Sequence, residues 1–186
     1  MSPELAARIA AEKDARRNCK IDICKSLATP GSGAITCDVT KTWTKAEILG
    51  RVVGGSYVWG YGHMQCKLSL NLDRGELGKA TSAAAAKIAF PEHKIVCIVD
   101  DADAAKGQAF SVNLSVAPVV AWDKGEAKSV DFQGVKAEGS TIASAAVTAL
   151  MAADKVAGIV SGAAAKEINS FVFEKCGADG VVIVKK

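Results

Sequence analysis

The chain has 186 residues, 49% of them hydrophobic, with 23 Lys and Arg against 20 Asp and Glu and a formal net charge of +3. That length and apolar fraction exclude a disordered chain and allow one domain, residues 1–186, to bury a core of ordinary size. A small charge with interleaved signs argues against nucleic acid as a partner, and no apolar run nears the roughly 18 residues of a membrane span.

The first predicted element is a helix over residues 3–27. Pro3 suits its first turn, and Leu5, Ile9, Ala15, Cys19, Ile23 and Leu27 form an imperfect apolar stripe. Lys13, Arg16, Arg17 and Lys20 share another face, read as solvated because Glu12 and Asp14 stand beside it. This charged start lacks the apolar segment of a secretory signal, so the expectation is a mature chain whose export signal has been removed. Thr29-Pro30-Gly31-Ser32-Gly33 is a loop by composition.

Strict alternation then predicts a strand over residues 34–43, with Ile35, Cys37, Val39 and Trp43 on one face. Thr44 and Glu47 form a capping box that opens a short helix with Ile48 and Leu49 inward. A Gly-aromatic loop follows and leads into the clearest strand in the chain, residues 63–72, with Met64, Cys66, Leu68, Leu70 and Leu72 on one face. Asp73 and Glu76 repeat the cap, ahead of an Ala-rich helix expected to run to about Lys87.

Two further strands are expected near 93–99 and 110–116, with Pro118 marking an edge or a bulge. Asp123-Lys124-Gly125-Glu126 reads as a hairpin turn into a returning strand through Val130 and Phe132. Helices near 141–153 and 155–175 and a terminal strand or tail over 181–184 complete the chain. Short connections between strands favour antiparallel neighbours. The expected fold is α+β: an antiparallel sheet of about five strands, with the N-terminal helix and two C-terminal helices packed on it.

The six cysteines are even in number, widely spaced and free of a CxxC pair, which points to structural disulfides and an oxidising compartment. The expected pairs are Cys66–Cys97 across neighbouring strands, Cys24–Cys37 across the first loop, and Cys19–Cys176 by elimination.

No metal or cofactor is expected. His63 and Cys66 lie three apart on a strand and project to opposite faces, and His93 and Cys97 lie about 13 Å apart at strand rise. Asp100, Asp101 and Asp103 lack the Gly and the distal Glu of a calcium loop. In the stretch Gly134–Thr141, Ser140 stands where a phosphate loop needs Lys, and it serves as a helix cap instead. There is no GxSxG elbow and no His beside a Ser-rich turn, so no catalytic residues are assigned. The candidate recognition residues are Tyr57, Trp59, Tyr61 and His63, where alternating aromatics and glycines let a partner approach closely.

The function expected from the sequence is a non-catalytic binding or interaction protein, periplasmic or secreted, whose partner is a protein or a small-molecule ligand. The alternatives are a carrier of an apolar small molecule between sheet and helices and, third, a hydrolase.

Overall fold

The computed structural model describes residues 2–51, 59–141, 144–145, 147–148, 151 and 158–184. The chain is α+β, built on one antiparallel sheet of six strands. Its elements are α1 (Pro3–Ala28), β1 (Ala34–Trp43), α2 (Lys45–Arg51), β2 (Met64–Asp73), α3 (Arg74–Ser82), β3 (Ala85–Ala89), β4 (His93–Asp100), β5 (Gln108–Asp123), β6 (Glu126–Gly139) and α4 (Ile159–Ser170). β1, β2, β4 and β5 are neighbours in that order. The 16-residue β5 also pairs β3 through its C-terminal half and β6 along its other side.

Local chemistry sets the element ends. Ser2 accepts from the Leu5 N–H and Pro3 fills the first turn, so α1 starts where the sequence says it should. Thr44 and Glu47 satisfy each other's amides at 3.3 and 2.8 Å, closing the expected capping box. The β5–β6 turn holds Lys124 at φ 51° and Gly125 at φ 81°, the left-handed pair that matches strand twist.

Pro118 sits within β5 without a bond to lose. His93 pairs Val116 and Ala89 pairs Val119, so Pro118 falls in the gap where β4 gives way to β3, and its carbonyl accepts from the Phe90 N–H. A similar gap opens on β2 beyond its last pairing with β4, Leu68 with Ile95. There the imidazole Nε2 of His93 accepts from the Asn71 N–H at 3.4 Å, so this buried histidine completes the ladder.

One face of the sheet carries the core. Ile35, Leu72, Ile88, Val120, Trp122 and Val130 pack against Leu27 of α1, Leu77 and Ala80 of α3, Ala165 of α4 and Val172. The other face is polar: Asp38, Lys67, Ser69, Lys94, Asn113, Lys136 and Glu138 are all exposed. The core is thus the classical one-sided arrangement for an antiparallel sheet.

Two expectations about the helices need correction. The Ala-rich segment does not stay helical to Lys87. α3 ends at Ser82, and Ala85–Ala89 forms β3 because pairing with Val119–Asp123 outweighs the weak helix preference of a few alanines. Leu49, expected inward, is exposed. Parts of the helix expected near 141–153, and residues 152–157 ahead of α4, lie outside the described residues. Residues 181–184 form no strand.

The disulfides are Cys19–Cys37, Cys24–Cys176 and Cys66–Cys97, and no cysteine is free. The cross-strand pair is as expected, since Cys66 and Cys97 are register partners. The other two pairs are exchanged relative to the expectation of Cys24–Cys37 and Cys19–Cys176. A strand advances about 3.3 Å per residue and a helix 1.5 Å. Cys37, three steps into β1 and so about 10 Å along it, falls midway between Cys19 and Cys24, about 13.5 and about 6 Å back from the end of α1, so rise alone leaves both within reach and rotation about the helix decides. Cys24 also lies about 140° around the helix from Cys19. That second direction faces the turn after α4, where Cys176 sits with its Cα 5.5 Å away.

Candidate functional site

The loop that enters β2 is pinned to the end of β4. The Gly62 N–H donates to the Asp100 carbonyl and the Asp100 N–H to the His63 carbonyl, both at 2.9 Å, so the β2–β4 ladder continues one step past the last regular strand pair. This contact demands glycine. A Cβ at position 62 would stand 2.6 Å from the Asp101 carbonyl oxygen.

The aromatic side chains fold back on this anchor. The Trp59 indole N–H donates to the Gly62 carbonyl at 2.8 Å, and its ring meets Tyr61 edge-on at 5.4 Å. Tyr61 in turn meets Phe110 of β5 edge-on at 5.0 Å. Both separations lie in the range that aromatic quadrupoles favour. Trp59 is half-buried, whereas Tyr61 remains 37% exposed. Of the four sequence candidates, Trp59, Tyr61 and His63 come together here, and Tyr57 lies outside the described residues.

His63 connects the loop to α2. Its Nδ1 accepts the Lys45 N–H at 3.2 Å, one of the amides at the start of α2 that lack a helical acceptor. An Nδ1 that accepts leaves Nε2 as the protonated nitrogen of the neutral ring. His63 lines an open cavity of about 330 Å³ with Lys45, Gly62, Asp100, Asp101, Ala102 and Gly107. The far wall is set by the loop after β4: the Asp101 N–H donates to the Gly107 carbonyl at 2.8 Å, and the Asp101 carboxylate accepts from the Asp103 N–H at 2.9 Å.

Donors and acceptors therefore surround this cavity beside an exposed aromatic ring. Among the described residues no hydrogen bond joins His63 to a Ser, Thr or Cys side chain, and no three His, Cys, Asp or Glu side chains converge to hold a metal ion. The donors and acceptors of the described residues can bind and orient a polar group.

A second concavity, about 430 Å³, lies on the polar face of the sheet and is lined by Lys94, Val96, Asn113, Ser115, Lys136 and Glu138, among others. Lys94, Ser115 and Lys136 are register partners across β4, β5 and β6. Sequence alternation marks each as outward, but only strand order places them side by side.

The basic stripe of α1 is largely committed to structure. The carboxylate of Asp179 pairs with Lys20 and, at 3.1 Å, with Arg17. Arg16 donates to the Thr40 carbonyl.

No protein-family model, no curated protein and no solved structure matches this chain. Three disulfides with no free cysteine are the pattern of a chain that matures outside the reducing cytoplasm. No helix among the described residues is long and apolar enough to cross a membrane, which says nothing of strands.

Proposed function

We propose that this protein is a non-catalytic binding module, periplasmic or secreted, and that it recognises a protein or small-molecule partner through the Trp59–Tyr61–His63 loop. The observation that carries this reading is the state of Tyr61. Its ring is held edge-on to Trp59 and to Phe110, yet 37% of the residue stays in solvent, immediately ahead in the chain of Gly62 and His63, which line the cavity of about 330 Å³. An aromatic side chain fixed before binding loses little rotamer entropy when a partner covers it, which is how aromatic anchors gain affinity.

The carrier alternative needs an apolar cavity between sheet and helices. Leu27, Leu72, Ile88, Trp122, Val130 and Val172 occupy that region in the described residues, which weighs against it.

The test compares native mass spectra of the wild-type protein and of Tyr61→Ala, each recovered from its native compartment. The wild type should retain a bound species that Tyr61→Ala loses, with the melting temperature shifted by less than about 4 °C. A bound species retained equally by both would overturn the assignment of this loop.

A further inference from the structure

The outer backbone edge of β1 is covered by side chains that stand in for a neighbouring strand. The Thr42 N–H donates to Glu12 Oε2 at 2.8 Å, and the Thr40 carbonyl accepts from the Arg16 guanidinium. In an antiparallel strand the N–H and C=O of one residue point the same way, and the direction alternates along the chain. Thr40 and Thr42 therefore present their backbone groups away from β2. Glu12 and Arg16 are one helical turn apart, about 6 Å, close to the roughly 6.8 Å between alternate strand residues. One supplies an acceptor for the amide and the other a donor for the carbonyl. Glu12 Oε1 also takes the Thr42 hydroxyl at 2.8 Å and the Gln65 amide at 3.0 Å, so the clamp reaches across to β2.

Ahead of Cys19 the other ties of α1 are lighter: Leu5, Ala6 and Ile9 are half-buried, and Arg17 reaches Asp179 at 3.1 Å. Glu12 is the one buried residue of α1 ahead of Cys19, where the disulfide to Cys37 ties the helix to β1. The N-terminal half of α1 is a strap attached at one end and fastened by a polar clasp.

We propose that this strap covers a latent strand-docking edge, and that the occupant once the clasp is released is β1 of a second copy of this chain, paired antiparallel. Charge and side-chain type suit that occupant and narrow its register. With Val39 on the two-fold axis, Thr36 faces Thr42 of the other copy and Asp38 faces Thr40, which brings β-branched residues together and no like charges. Shifting the axis to Asp38 sets two carboxylates against each other. Releasing the clasp frees the outward groups of Thr40 and Thr42, and with those of Thr36 and Asp38 they form a template for such pairing.

The experiment uses the full chain with its disulfides intact and reads mass by light scattering after size exclusion. Glu12→Ala/Arg16→Ala and the bulkier Glu12→Met/Arg16→Met, neither of which can bond the edge backbone, are measured together, so that failure of one to fold still leaves a result. Either folded variant should show twice the native mass as concentration rises. At low concentration its Thr42 amide should exchange at least about tenfold faster than in the wild type. Adding Thr42→Pro, which removes the outward donor and leaves pairing to β2 intact, should return the native mass. A folded clasp variant that keeps the native mass at every concentration would overturn the proposal. So would a doubled mass that survives Thr42→Pro.

Discussion

The side chain of Asn169 on α4 closes both backbone groups of Ala127 on β6: its Oδ1 accepts the Ala127 N–H at 2.8 Å and its Nδ2 donates to the Ala127 carbonyl at 2.9 Å. A carboxamide carries a donor and an acceptor side by side, as a strand's backbone does, so α4 is registered to β6 by a hydrogen-bonded pair as well as by packing. Ala127 is buried, and water does not readily replace a lost partner there. Asn169→Ala should cost about 1–3 kcal/mol in urea unfolding, the penalty for leaving buried polar groups unmet. Asn169→Asp keeps an acceptor for the amide but sets an oxygen against the Ala127 carbonyl, and should cost at least as much. An unchanged denaturation midpoint for both variants would show that the pair adds nothing to stability.

Asp179 gives stability a specific acid dependence. The hydrogen bond from Lys20, with Arg17 adding to it, holds its carboxyl below the ordinary value of 3.8, against the opposing effect of burial. A group whose pKa is depressed on folding contributes fully above its unfolded value and loses that contribution as pH falls through its folded value. The stability difference between the wild type and Asp179→Asn should therefore be constant near neutrality. It should close as pH drops from about 3.8 downward. Denaturation midpoints measured from pH 7 to pH 2 will show whether the gap narrows.

The two disulfides of α1 should contribute unequally. Cys24–Cys176 spans 152 positions and Cys19–Cys37 spans 18. In the chain-entropy model, closing these loops is worth about 5 and about 3 kcal/mol. Cys24→Ala/Cys176→Ala should unfold at a clearly lower urea concentration than Cys19→Ala/Cys37→Ala. The reverse order would mean that structure left in the unfolded chain, and not loop length, sets the effect.

Gly62→Ala tests the anchor of the recognition loop. A methyl group 2.6 Å from the Asp101 carbonyl oxygen forces the loop and the end of β4 apart. The expected cost is about 1–3 kcal/mol, as for an overpacked site. The Trp59 indole bond to the Gly62 carbonyl should weaken with it, so Trp59 fluorescence should shift toward that of an exposed indole. An unchanged emission maximum would place the strain elsewhere.

Much of the fold was legible in the chain itself because it is written in local chemistry. The period-two patterns of β1, β2 and β4, the caps at Thr44 and Asp73, and the turn at Lys124-Gly125 each depend on residues within a few positions of one another. Even the Cys66–Cys97 bridge follows from two strands read correctly as neighbours. What depends on distance between elements was decided only in three dimensions. The direction in which each cysteine leaves α1 assigned Cys37 to Cys19 and Cys176 to Cys24, and β5 drew Ala85–Ala89 out of a helical composition. The aromatic loop was visible as a cluster, but its geometry comes from Phe110 and Asp100, which strand order brings beside it from dozens of residues away. The edge contacts of Glu12, Arg16 and Asn169 left no trace in any local pattern. A side chain that completes a sheet is chosen by the backbone it faces, and that backbone is set by the packing of distant segments.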